Sequence, residues 1–501
     1  MAPPRHWVAA AILLFLLASE APRVAGFLPG PGLRPCEFDV MLPRPNARVT
    51  DLAVTRTGDL IVGGATTEND FPTTPDAVDR TCGDAHGCWS DGDDGFVMIL
   101  SASGETKYST FVGGDGEDHR ILVAPAPDGS VWAVLADTTF HAQAYSSPIC
   151  NGHQPVLLRI KPGSPLFHDM VCIGGPDADA VVTDLAQGPD GSLWVLGYGS
   201  GIHTVNAWQP VSGGDRDLFV ARYAGGSQNP LFATYIGGRG AEWASAMALA
   251  PDGDAVVTGS TSSPDFPLVR AAPGSLYLEG GASGYQSDAV LVRIDETGRW
   301  LEYSLRVGGT RWDSGEGLAV DETGNAYVAG YTGSPDFPVT DGTFGSTYRG
   351  GDSDAVLLSV DATGRERFAA LFGGTGFDGA NHLFVRPNGS VLVFGYTGSP
   401  GFETQGVLPL PWQHSQPFVA WTDSFGSTLQ QIADVLLAPT RHGSRIAAVA
   451  WDPAHAYIAG DGHHWEPGSD AWEYRGHYVK KWHIGPGRHE DDGLPGQARR
   501  R

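Results

Sequence analysis

Basic charge is scarce in this sequence. Lysine and arginine number 32 against 57 aspartates and glutamates, and the formal net charge is −25. A nucleic-acid partner needs a basic patch to displace phosphate counterions, and none occurs outside the terminal Arg499-Arg500-Arg501. Long apolar runs are scarce too. Trp7 to Ala18 spans 12 residues, short of the roughly 20 that a membrane-spanning helix needs. With the basic MAPPRH before it and Val24-Ala25-Gly26 behind it as a cleavage site, this run reads as a signal peptide over residues 1–26. The expected product is secreted, cell-surface or periplasmic, with no integral membrane segment after cleavage.

Catalytic signatures are missing as well: there is no G-x-S-x-G elbow, no H-E-x-x-H and no phosphate loop. Cysteines are few, namely Cys36, Cys82, Cys88, Cys150 and Cys172. Their spacing does not suit a zinc finger. In an oxidising compartment the expected disulfides are Cys82 with Cys88 and Cys150 with Cys172, leaving Cys36 over.

Glycine and proline, by contrast, are abundant, at 69 and 36 residues. Both are turn formers, and between them lie short runs of alternating apolar and polar residues, which argue half-buried strands. A longer period overlies these runs. Glycine pairs fall at Gly113-Gly114, Gly174-Gly175, Gly237-Gly238, Gly308-Gly309 and Gly373-Gly374, at intervals of 61, 63, 71 and 65 residues. Between pairs come two strands about a turn, as in LAVDETGNAYVAG from Leu318, then a further strand, turn and strand, as in DAVLVRIDETGRWLEYSLRVGG from Asp288. Asp128-Gly129, Asp190-Gly191, Asp252-Gly253 and Asn388-Gly389 mark hairpins.

Counting the worn copy at Ala447, there are seven units of about four antiparallel strands. One such sheet exposes both faces, and radial stacking covers them. The fold class predicted is all-β: a single seven-bladed propeller over residues 36–485, with a disordered tail at 486–501. CEFDVML, Cys36 to Leu42, has no partner of its own and is expected to join the last blade.

These units resemble the bacterial SBBP β-propeller repeat, whose pattern runs from a glycine pair and an acid to Thr-x-Ser-x-Asp-Phe-Pro. Thr261 to Pro267 and Thr332 to Pro338 match this motif best, Thr67 to Pro72 is close and Thr397 to Phe402 is partial. The resemblance implies a propeller. It implies little about activity, because fold does not confer function.

The acid four residues after each glycine pair is Asp118, Asp179, Glu242, Asp313 or Asp378. In a closed propeller these positions form a ring, which could bind Ca²⁺ through oxygen ligands. The favoured reading is structural, each acid capping its own turn, because a residue required once per blade answers to blade geometry. The same argument covers the Asp-Phe-Pro phenylalanines. Less repetitive residues carry more individuality. Trp243 and Trp312, flanked by Arg239 and Arg311, are the ligand-binding candidates at one mouth of the channel. His463-His464, read as a loop pair with Asp461, Glu466 and Asp470 nearby, is a weaker zinc or copper candidate.

No catalytic residue is assigned. The function expected is an exported, non-enzymatic propeller that binds or scaffolds a surface polysaccharide or an extracytoplasmic protein. The rival is a channel-centred hydrolase or lyase using ring carboxylates such as Asp313 and Asp378 as acid and base. Acids each turned into their own backbone turn would favour the binder.

Overall fold

The computed structural model of the chain describes residues 34–42, 46–82, 93–113, 120–136, 150, 154–225, 227, 229–269, 286–386, 389–399, 402, 416–432, 446–452, 455–465 and 472–483. The expected signal peptide at 1–26, the expected tail at 486–501, Asp118 and Cys88 lie outside these residues. Every regular element described is a strand, and the strands form seven four-stranded antiparallel sheets arranged as the blades of a propeller.

The innermost strands are Arg48–Val54, Ile121–Pro125, Asp179–Gln187, Glu242–Leu249, Asp313–Val320, Asp378–Val385 and Ile446–Trp451. All seven contribute to the wall of one central channel. The seventh sheet combines Ile446–Trp451, His455–Trp465 and Trp472–His483 with the N-terminal strand Arg34–Met41. In that last pairing Val40 lies opposite Val479.

Alternation along the strands feeds the two faces of each sheet into two different cores. Val123, Val131 and Ala133 of the second blade pack with Ile61, Val97 and Ile99 of the first. Leu122, Trp132 and Val134 turn the other way, toward Val182, Val195 and Phe219 of the third. Full burial of each such side chain stabilises by about 1.5–3 kcal/mol, so the blade seams are the hydrophobic core of the protein.

The two ends of the ring differ. One carries tight turns. At Asp190-Gly191, Gly191 takes φ +84°, a region open to glycine at no steric cost, while Asp190 Oδ1 accepts from Ser192 N at 3.0 Å and Ser192 Oγ at 2.6 Å. Arg222 reaches Asp190 at 2.8 Å and lies over Trp194, 5.1 Å from the ring centroid. Arg159 repeats this on Asp128 and Trp132. Trp132 and Trp194 are thus buried structural rings. At the opposite end the second strands finish and the third begin, as at Thr66 and Asp94, Ser200 and Asp217, and Thr332 and Asp354.

Cys150 and Cys172 form a disulfide, as the spacing led us to expect, with Cα atoms 5.6 Å apart. Cys82 is also disulfide-bonded. No helix among the described residues is long and apolar enough to cross a membrane.

Candidate functional site at the channel mouth and lumen

The glycine pair, the acid and the Thr-x-Ser-x-Asp-Phe-Pro segment form one hydrogen-bonded unit. Asp313 Oδ2 accepts from Gly309 N at 2.8 Å and from Ser334 Oγ at 2.9 Å, and its Oδ1 accepts from Thr332 Oγ1. Asp378 does the same with Gly374, Ser399 and Thr397, and Glu242 accepts from Gly238 N and Thr261 Oγ1. The motif serines also accept from the turn, at Gly240 N, Arg311 N and Gly376 N. Asp265 and Asp336 take the next amides, Arg239 N and Thr310 N, both at 2.9 Å. Phe71, Phe266 and Phe337 are buried. The motif is therefore a latch between one blade and the next.

Glu242, Asp313 and Asp378 have no solvent-accessible surface. Asp179 departs from them and is exposed, because its unit lacks the Thr and Ser that would enclose it. Among the described residues, no group of three or more His, Cys, Asp or Glu is placed to hold a metal ion. His463 and His464 lie in the strand His455–Trp465, opposite Tyr474 and Glu473, rather than in a loop.

The four expected rim residues sit at the latch end. Arg239 is almost fully exposed, with Nε 3.3 Å from Asp265 Oδ2. Trp243 is 37% exposed. Arg311 is exposed, and Trp312 is half-buried with its ring edge-on to Tyr331 at 5.3 Å. One blade further on, Phe377 occupies the position equivalent to Trp312. It is exposed and lies nearly parallel to Tyr396 at 5.2 Å. Sequence reasoning missed Phe377. The available signal was an aromatic directly before the acid in two successive copies.

A second set of residues was missed altogether. In six blades the pairing of first and second strands slips by one residue at the same height, between Val49 and Asp51, Val182 and Asp184, Ala244 and Ala246, Gly315 and Gly317, Ala380 and His382, and Ile446 and Ala448. Such bulges re-aim side chains. Here Thr50-Asp51, Thr183-Asp184, Ser245-Ala246, Glu316-Gly317, Asn381-His382 and Ala447-Ala448 line a cavity of about 370 Å³. After this dipeptide the copies carry Leu, Met or Val and then Ala or Phe, whereas the dipeptide itself ranges from Thr-Asp to Ala-Ala.

Burial pushes Asp51 up to about 7 and Asp184 to about 6, with their mutual repulsion adding to the rise at Asp51. Arg120, which donates to Thr183 O at 3.1 Å, opposes both shifts. Burial also raises Glu316, which accepts from Ser314 Oγ at 2.7 Å, and lowers His382 to about 4, so that this imidazole is neutral at pH 7.

A family comparison agrees with the propeller fold. The SBBP β-propeller repeat family matches residues 302–338, which run from the end of the fourth blade into the fifth. No curated protein matches the chain in sequence. Among solved structures, similarity extends to a catalytically inactive virginiamycin B lyase from Staphylococcus aureus bound to quinupristin. The two chains are 9% identical, with 89% of this chain and 98% of that chain covered and a TM-score of 0.40. A puromycin-hydrolyzing peptidase from Mycobacterium tuberculosis is 13% identical, covering 88% of this chain and 56% of that one at a TM-score of 0.41. A protein of unknown function from Dyadobacter fermentans is 12% identical, over 72% and 93%, at 0.35. These likenesses concern the fold alone.

Proposed function

We propose that this SBBP-repeat propeller is an exported, non-enzymatic binding protein that engages a surface polysaccharide at the latch end of its ring. The observation that carries the reading is the row of solvent-reaching rings there, Trp243, Trp312 and Phe377, on three successive blades, with the exposed Arg239 and Arg311 close to the first two in sequence. Aromatic faces stack on the C–H faces of sugars, and guanidinium groups donate to hydroxyl and carboxylate oxygens. Platforms repeated from blade to blade suit a polymer with a repeating unit. The variable connections between second and third strands emerge at the same end, where propellers and other scaffolds carry recognition loops.

The buried state of Asp313 and Asp378 supports binding over catalysis by the ring acids. A general acid or base must reach its substrate, and both carboxyls are enclosed by their own turn and motif hydroxyls. Export is supported by the apolar N-terminal segment and by the disulfide.

The test is retention of surface-polysaccharide extracts on the immobilised mature chain, with the eluate analysed for shortened or unsaturated products. Specific retention of intact polymer, weakened by Trp243→Ala and Phe377→Ala, is the expected result. Product release would establish the hydrolase or lyase instead, and capture of an extracytoplasmic protein without glycan would redirect the reading to a protein partner.

A further inference from the structure

Three seams in the ring bring together two acids from adjacent blades. Asp217, at the start of the third strand of blade three, meets Glu242 of blade four. Asp288 of blade four meets Asp313 of blade five, and Asp354 of blade five meets Asp378 of blade six. All six are at most 1% exposed.

The first glycine of each pair shows how close they come. A methyl group on Gly237 would lie 2.6 Å from Asp217 Oδ1 and 2.4 Å from Glu242 Oε2. On Gly308 it would lie 2.4 Å from Asp288 Oδ1 and 2.7 Å from Asp313 Oδ2, and on Gly373 2.3 Å from Asp354 Oδ1 and 3.0 Å from Asp378 Oδ2. The two carboxyl groups therefore converge over one bare α-carbon at each seam. Asp217 and Glu242 lie close enough to influence each other's titration, and two carboxyl groups hydrogen-bond directly only when one carries a proton. Asp354 Oδ1 is buried and accepts no bond, which leaves it open to a donor from its neighbour.

We propose that each of these seams is latched by one proton shared between its two carboxyl groups, so that the ring from blade three to blade six tightens in mild acid and loosens as pH rises. Two ionised carboxylates side by side without water repel, and a single proton converts that repulsion into a strong hydrogen bond. Burial, the largest influence, moves the groups in the required direction: Glu242 and Asp313 rise to about 7, Asp288 and Asp354 to about 6, and Asp217 and Asp378 also rise. The proton belongs to the pair rather than to either acid.

The surroundings are consistent with one proton per seam. At the first seam the neighbours are Gln209, the Gly213, Gly214 and Gly238 amides, Thr261, Ser263 and Tyr235. At the second, Arg306 Nε lies 3.3 Å from Asp288 Oδ2 and compensates the one charge that a singly protonated pair keeps; Thr332, Ser334, the Gly309 amide and Tyr348 complete the shell. At the third, Arg349 donates its amide to Asp354 Oδ2 at 2.7 Å and adds its charge, with Tyr348, Thr397, Ser399 and the Gly374 amide around the pair. Donors directed at the acids, and a guanidinium at the second seam, disfavour a metal cation in the same place.

The sign follows from linkage. Between an unfolded pKa of about 4 and a folded value near 7 the native state holds more protons than the unfolded one, so stability falls as pH rises through that window. Each seam contributes at most about a tenfold loss in the folding equilibrium constant per pH unit.

The experiment compares the full chain with Asp313→Asn and, in case that variant does not fold, Asp288→Asn and Glu242→Gln, by denaturant unfolding at pH 5 to 8. Differences between chains cancel the titration of His382, Asp51 and Asp184, which the variants leave alone. The expected result is a shallower loss of stability with pH in each amide variant, together with loss of part of the infrared band of protonated carboxyl groups at pH 6. An unchanged pH slope in folded variants overturns the proposal. So does a wild-type chain with no protonated-carboxyl band, or one whose stability depends on added Ca²⁺ and is lost to EDTA.

Discussion

Asp51 of the first blade accepts a hydrogen bond from the backbone N–H of Val123 in the second, at 2.8 Å, while its other oxygen accepts from Leu52 N. Asp184 repeats the arrangement two seams further on, between the third and fourth blades, with Met247 N and Leu185 N at 2.7 Å each. A side chain projected into the channel by a bulge thus also clips neighbouring inner strands together. Removing a buried acceptor strands its donors at about 1–3 kcal/mol. Asp51→Ala and Asp184→Ala should each lose about that much in urea unfolding. The double variant should depart from additivity, because the two acids and Arg120 interact.

Glycines in this chain divide by what surrounds them. Gly308→Ala would drive a methyl group against two buried carboxyls, an overpacking that costs about 1–3 kcal/mol. Gly342 has φ +84° and nothing within 4 Å of an added methyl, so Gly342→Ala should cost only the strain of the left-handed conformation, about 1–2 kcal/mol. Thermal unfolding of the two variants checks the difference.

Cys150 and Cys172 close a loop with a sequence separation of 22, for which the loss of the bond is worth about 3 kcal/mol. Cys150→Ser paired with Cys172→Ser should lower the urea midpoint accordingly, and a reducing agent should lower the wild-type midpoint by more than that of the double variant, which keeps only the disulfide of Cys82.

The strand Arg34–Met41 pairs with Trp472–His483, so removing it bares that longer strand as the outer edge of the last blade. Deletion of residues 36–42 should lower the melting temperature and promote association. Unchanged stability would show that the ring does not depend on this strand.

At the rim, Trp243 and Trp312 should behave differently. Trp243 is more exposed, so Trp243→Ala should weaken polysaccharide retention and leave the melting temperature unchanged. Trp312 packs against Tyr331, so Trp312→Ala should lower both, the melting change reflecting about 0.5–1.5 kcal/mol for the aromatic pair alone.

Much of the fold was legible in the chain because it is repetitive. The glycine pair, the Asp-Gly turns and the alternation of Ala326 to Thr332 recur with the geometry that produces them, and seven copies average out local ambiguity. The latch was legible in part. That the acid caps its own turn followed from its distance to Gly309, whereas its partnership with Asp288 required two strands to meet across a seam. The lumen was hardest to read. Aligning TDLAV from Thr50, TDLAQ from Thr183, EGLAV from Glu316 and NHLFV from Asn381 shows a constant leucine after a dipeptide that is Thr-Asp, Glu-Gly or Asn-His. Only a bulge tells that this dipeptide faces the channel, and a bulge has no composition of its own.

The sequence by itself determined how many blades there are, how each strand alternates and where the tight turns fall, since these depend on local backbone preference and on which faces must leave water. The tertiary structure decided which acids meet, which aromatic rings stay in solvent and which side chains share the channel. Those outcomes depend on distances between blades, and closing the ring brings together residues such as Asp51 and Asp184 that lie far apart along the chain.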